Sequence, residues 1–215
     1  MQSVNGFAEA KGISPSRVRA LIDAGEVEAR RVGRSWVIDD SALRWEPSRS
    51  RPLSPSNAWV LIGAIGDKGQ LPSGLRGVER ARLHERLARL RSSAEPAALL
   101  RSWLARRARA VDYQASPAAL EYLRDDKRIA LSGISAPESF MSAQAELEGY
   151  VMRSDIEPLA EDHYLSVGSR NNVRLHIVAD RLPEIGVGLI AADLADWRRP
   201  REDGQAARLV RQAIG

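Results

Sequence analysis

The sequence predicts an α+β fold in three parts: a small front domain of two helices and a hairpin, a helical middle segment, and a C-terminal mixed α/β domain. Three observations carry this. Capping residues and glycines punctuate residues 3–39 at helix and hairpin spacing, leucines recur every three or four positions between 83 and 104, and residues 172–178 alternate apolar and polar side chains. A chain of 215 residues with a 44% apolar fraction can build one ordinary domain plus a small one. The expected boundaries are 1–46 for the front domain, 47–57 for a linker ("PSRSRPLSPSN"), and 58–215 for the remainder.

The front elements follow in order. A helix over approximately Val4 to Lys11 turns Phe7 and Ala8 toward a second helix. Ser14 caps that helix and Pro15 suits its first position; Val18, Leu21 and Ile22 share its inner face. Ser16 and Ala20 lie opposite, flanked by Arg17 and Arg19, and Gly25 ends the helix. "VEARRVGRSWVID" then reads as two strands about a turn at Gly33. Val32, Trp36 and Ile38 form its apolar set, and Arg30, Arg31, Arg34 and Ser35 are left for solvent or phosphate.

This is the outline of a helix-turn-helix with a wing. The second helix, small and polar at its centre and cationic at its edges, suits the major groove of double-stranded DNA. Its N-terminus near Ser14 can approach phosphate, short Ser16 permits close approach, and Arg17 or Arg19 can donate to guanine. Arg30, Arg31, Arg34 and Ser35 of the wing would supply backbone contacts that give affinity and register.

In the order helix, "GIS", helix, "AGEVEARRVGRSWVID", residues 3–45 resemble the excisionase-type helix-turn-helix family, relatives of the MerR DNA-binding domain. "G-x-S" before the second helix, "L-I-x-x-G" at its end and "R-V-G-R-x-W-x-I" in the wing carry the likeness. It implies a winged helix-turn-helix that places Ser16, Arg17 and Arg19 on the recognition helix and Arg30, Arg31 and Arg34 in the wing. The chain departs from the family at Gly6-Phe7-Ala8, where Glu-Ala-Ala is usual, and at Val37, where a basic residue is frequent.

Behind the linker, Leu83, Leu87 and Leu90 predict one helix, and Leu99, Leu100, Trp103 and Leu104 a second. "SSAEP" divides the two, with Pro96 in a first turn. Arg101, Arg106, Arg107 and Arg109 fall away from the second apolar stripe, a further candidate surface for DNA or a protein partner. "SPAALEYLRDD" begins a helix capped by Ser116, and "RIALSGIS" is a short strand ending at Gly133. "NVRLHIV" is a half-buried strand with Val173, Leu175 and Ile177 inside, "GVGLIAADLA" reads as a buried strand, and "REDGQAARLVRQAI" is a closing amphipathic helix.

Chemistry is sparse. There is no cysteine, and His84, His163 and His176 are not close in sequence, so no metal or disulfide is expected. Phosphate-loop, dinucleotide and nucleophile-elbow signatures are absent. Asp193 and Asp196 are read as solvated or capping carboxylates, Asp125 and Asp126 as a helix end, and His176 as a surface residue beside Arg174. No catalytic residue and no cofactor is predicted, and the chain is expected not to be an enzyme. No run approaches the ~18 apolar residues of a membrane helix, and "MQSVNGFAEAKG" does not look like a secretion signal, so a cytoplasmic protein is expected.

Charge is uneven. Residues 1–51 hold nine Lys/Arg against seven Asp/Glu, residues 52–110 eleven against four, and residues 111–215 twelve against seventeen, giving +2, +7 and −5. A basic front and an acidic back fit an anionic ligand such as DNA at one end and a basic protein at the other. "RARAVDYQASPAALEYLRDDKRIALSGISA", "NNVRLHIV" and "LIAADLADWRRPREDGQAARLV" resemble, in order and tenor, the downstream part of actinobacterial helix-turn-helix proteins organised like AbiEi-type antitoxins. That resemblance implies an autorepressor of a toxin-antitoxin operon, partnered by a nucleotidyltransferase-type toxin. Self-association into a homo-oligomer would add the affinity that one small module lacks. The alternatives are an excisionase-like architectural factor in recombination and a nuclease or other enzyme with a DNA-targeting head. Convergence of Asp193, Asp196 and a glutamate around a cleft would favour the nuclease.

Overall fold

The structure is a computed structural model that describes residues 2–23, 27–33, 35–38, 42, 52–168 and 171–215. It is mixed α+β and divides into two compact units, Met1–Arg49 and Ser50–Gly215. Arg34, Gly25 and the linker residues 47–51 lie outside the described residues.

The first unit begins with β1 (Gln2–Ser3), α1 (Val4–Lys11) and α2 (Pro15–Asp23). Ser3 caps α1 by accepting from the Gly6 N–H at 3.1 Å, and Gly12 closes it in the left-handed conformation, φ +64°. Ser14 accepts from the Arg17 N–H at 3.2 Å, the cap its position predicts for α2. The hairpin is β2 (Ala29–Val32) and β3 (Ser35–Ile38), with Val32 opposite Ser35 at its closing pair and Gly33 at φ +60°. β1 adds to the far side of β3, making a three-stranded sheet in the order β1-β3-β2. Phe7, Val18, Leu21, Ile22, Val27 and Ile38 are among the buried apolar side chains of a small core.

One expectation fails in the hairpin. Val32 is 52% exposed. The register pairs Ala29 with Ile38 and Arg31 with Trp36, so Ala29, Arg31, Trp36 and Ile38 share one face. Val32 falls on the other face with Arg30, Ser35 and Val37. The inner apolar set is therefore Ala29, Trp36 and Ile38.

The second unit opens with α3 (Pro55–Gly66), capped by Ser54, so residues 55–57 are helix and not linker. Leu53 is buried, and its N–H donates to the Trp103 carbonyl at 2.9 Å. α4 (Gly77–Ser92) and α5 (Pro96–Leu104) follow as predicted, burying Leu83, Leu87 and Leu90, then Leu100, Trp103 and Leu104. Next come β4 (Arg109–Tyr113), α6 (Pro117–Asp125), β5 (Ile129–Leu131), β6 (Leu147–Met152), α7 (Ile156–Asp162) and β7 (Val173–Val178). α8 (Val187–Asp196) and α9 (Pro200–Ile214) end the chain.

The four-stranded sheet has the order β4-β7-β6-β5. β6 and β7 run parallel through the α7 crossover, and both edge strands are antiparallel to their neighbours. Leu147, Val151, Val173 and Leu175 pack on one face under Leu120 and Leu123 of α6 and Leu159 of α7. The opposite face meets a larger core built from α3, α4, α5, α8 and α9. "GVGLIAADLA" is thus a helix, not a strand. Gly188 lets α8 approach α3, since a Cβ there would collide with the Ile62 carbonyl.

Candidate nucleic-acid interface

In the first unit, Val18, Leu21 and Ile22 of α2 are buried, while Ser14, Ser16, Arg17, Arg19 and Ala20 are exposed. The helical period alone produces this division. Ser14 and Ser16 also share a hydrogen bond, 2.9 Å between their Oγ atoms. Ser14 is thereby committed to the cap and to Ser16, and its reach toward a ligand is less than the sequence implied.

On the hairpin, Arg30, Arg31 and Ser35 are exposed. Arg30 and Ser35 stand on the outer face with Val32, whereas Arg31 shares the Trp36 face. The two wing arginines therefore point to opposite sides of the ribbon, a separation that their adjacency in sequence already requires.

The four arginines 101, 106, 107 and 109 do not form one surface. α5 ends at Leu104, so only Arg101 lies on it. Arg101 donates to the Ala195 carbonyl at 2.7 Å and pairs with Asp203. Arg106 and Arg109 are exposed. Arg107 turns inward and is 5% exposed, a correction to the solvent-facing reading.

Arg107 is the centre of a buried polar network on the α8 side of the sheet. Its Nη2 donates to Asp193 Oδ1 and Asp196 Oδ2, both at 2.6 Å, and its Nε donates to Asp193 Oδ1 at 3.1 Å. Asp193 and Asp196 are three residues apart on α8 and so share a face. The Tyr150 hydroxyl donates to Asp193 Oδ1 at 2.9 Å, and the Ser132 hydroxyl donates to Asp193 Oδ2. Burial opposes the charge on Arg107, yet Asp196, Tyr150 and Asp193 hold its pKa well above the ordinary arginine value.

Glu148 and His176 complete the network. His176 is 1% exposed, not a surface residue. Its Nε2 lies 2.9 Å from Glu148 Oε1, and its ring stacks on Tyr150 with centroids 4.8 Å apart. Trp197 Nε1 and the Ile134 N–H donate to Glu148 Oε2 at 2.7 and 3.2 Å. Gly133, at φ +52°, leaves the space that this carboxylate fills. Burial pushes the Glu148 pKa up, against the hydrogen bond from His176.

Glu148, His176 and Asp193 offer ligand atoms within 4.8 Å of one another, a spacing that would admit a metal ion. Each oxygen of the two carboxylates is already engaged by a protein partner. Asp193 and Asp196 converge on the Arg107 guanidinium, contrary to the expectation that they are solvated, while Glu148 lies beside Asp193 with its oxygens on His176, Trp197 and the Ile134 N–H. The arrangement acts as a clamp that ties α8 to β6, β7 and the end of α5.

Asp126 is also more than a helix end. It pairs with Arg128 at 2.6 Å and with His163 at 2.8 Å. The hydrogen bonds from Arg128 hold its pKa well below the usual carboxylate range.

No helix among the described residues is long and apolar enough to cross a membrane. Compared with protein-family models, with curated proteins and with solved structures, the chain gives no match.

Proposed function

We propose that the first unit is a winged helix-turn-helix reader of double-stranded DNA, and that the chain is a sequence-specific transcriptional regulator. The observation that carries this is the exposed face of α2: Ser16, Arg17, Arg19 and Ala20 stand opposite the buried Val18, Leu21 and Ile22. A small polar centre with cationic edges fits a major groove, and Arg30 and Arg31 on the hairpin can donate to flanking phosphates. The role we assign is an antitoxin-like autorepressor, with the second unit binding a protein partner such as a nucleotidyltransferase-type toxin.

The test is a gel shift of the full chain on the DNA upstream of its own gene, repeated across salt. Binding should weaken steeply with salt. Arg30→Ala with Arg31→Ala should lower the slope of log affinity against log salt by about 2 and affect every sequence alike. Arg19→Ala should instead cost about 1–3 kcal/mol of discrimination at one base pair. Salt-independent binding, or none, would remove the reading.

The nuclease alternative draws on Glu148, His176 and Asp193, whose ligand atoms lie within 4.8 Å of one another. It is disfavoured because Arg107, Tyr150, Ser132 and Trp197 engage the oxygens that a catalytic metal would need.

A further inference from the structure

The second unit carries a cationic helix face with no role in the function proposed above. α4 buries Leu83, Leu87 and Leu90. Flanking that stripe, Arg82, Arg86 and Arg89 recur at i, i+4 and i+7, so they form one row with axial rises of about 6 and about 4.5 Å. Val78, 63% exposed, extends the row by one turn. Between Arg76 and Ser92 there are six arginines and two glutamates, a net of +4.

Counter-charge on the row among the described residues is sparse, with Glu85 the carboxylate that acts on Arg86. Neither Arg82 nor Arg86 makes a hydrogen bond or ion pair among the described residues. The Arg86 pKa is lowered, first by partial burial and then by the charge of Arg82, with Glu85 opposing. Arg89 lies over the Trp103 ring, 5.5 Å from its centroid, which restricts where its guanidinium can point. A row of planar, partly ordered guanidinium groups that repel one another is stabilised by a polyanion, and phosphate matches the guanidinium fork.

We propose that the Arg82–Arg86–Arg89 face of α4 is a second contact surface for the phosphate backbone of duplex DNA. It rests on the DNA-reading role of the first unit and adds to it a contact that does not read sequence. Because both surfaces belong to one chain, a duplex held by the first unit meets the second at raised effective concentration. Such a contact answers the weakness of a single small module, which buries little surface.

The experiment uses the full chain and a mixed-sequence duplex, with affinity followed by fluorescence anisotropy across salt. Arg82→Gln with Arg86→Gln should reduce the salt slope by about 2 and weaken binding on the order of tenfold at low salt, equally for every sequence. Arg82→Lys with Arg86→Lys should restore the slope. If the glutamine pair fails to fold, Arg82→Gln alone, at an exposed position, should reduce the slope by about 1. A glutamine variant with wild-type slope and affinity overturns the proposal, as does one that loses only binding to phosphatidylserine vesicles. If Arg30→Ala with Arg31→Ala abolishes binding while the α4 variant binds normally, the first unit's reading survives and this one falls alone. If the wild type binds no duplex, both fall.

Discussion

In the first unit, Arg17, Arg19, Arg30 and Arg31 are exposed around a small apolar core. In the second, Arg107 is almost fully enclosed between two aspartates, and Arg174 is held by Asp112 at 2.8 Å while covering one side of Trp197. The contrast shows that abundant arginine has two uses in one chain. On the first unit it lies exposed, where the proposed reading gives it a ligand; inside the second, it fastens elements that are distant in sequence. Which use applies depends on whether a carboxylate waits opposite, and that is a property of the fold, not of the local sequence.

The sharpest way to break this contrast is at Arg107. Arg107→Ala strands Asp193 and Asp196, and removing one partner of a buried pair costs about 3–5 kcal/mol. The thermal midpoint should fall by roughly 10 °C in a unit of this size, while the DNA binding proposed for the first unit is unchanged in the folded fraction. Wild-type stability in that variant would make the network incidental.

A smaller effect is expected at Asp126, where pH separates structure from binding. Its folded pKa is depressed by Arg128, so its stabilisation is present above the unfolded value near 4 and disappears as pH falls below it. Asp126→Asn should cost about 2 kcal/mol at pH 7 and progressively less as pH falls below about 4, measured by urea unfolding. Glu148 acts with the opposite sign: its raised pKa means that ionisation subtracts stability as pH climbs past the ordinary carboxylate range. The smallest stability change belongs to Arg30→Ala with Arg31→Ala, expected within about 0.5 kcal/mol for exposed residues. A large loss of stability there would erase the distinction between the units.

Local chemistry made much of the fold legible. Ser14 and Ser116 each precede a proline and cap a helix as predicted, the same signal at Ser54-Pro55 stands in a stretch read as linker, and the leucine spacing of α4 and α5 places their inner faces correctly. The interior network was not legible, for two reasons. β7 alternates as a strand with one wet face does, but α8 covers that face, and nothing within "NVRLHIV" records a cover supplied by residues 187–196. "GVGLIAADLA" is apolar on all sides, so its period cannot separate a buried strand from a buried helix. The usable signal was the spacing of Asp193 and Asp196, which a helix brings to one face. Alternate residues Glu148 and Tyr150, with Arg174 and His176, then repeat polar groups along one side of two strands.

α8 has one more consequence. Eight of its ten residues are buried, its side toward the sheet is fastened through Asp193, and Gly188 holds its other side against the α3 backbone. The amide hydrogens of its buried central turns are far from solvent and from the helix ends. They should be among the last in the chain to exchange with deuterium, at a rate set by global unfolding of the second unit.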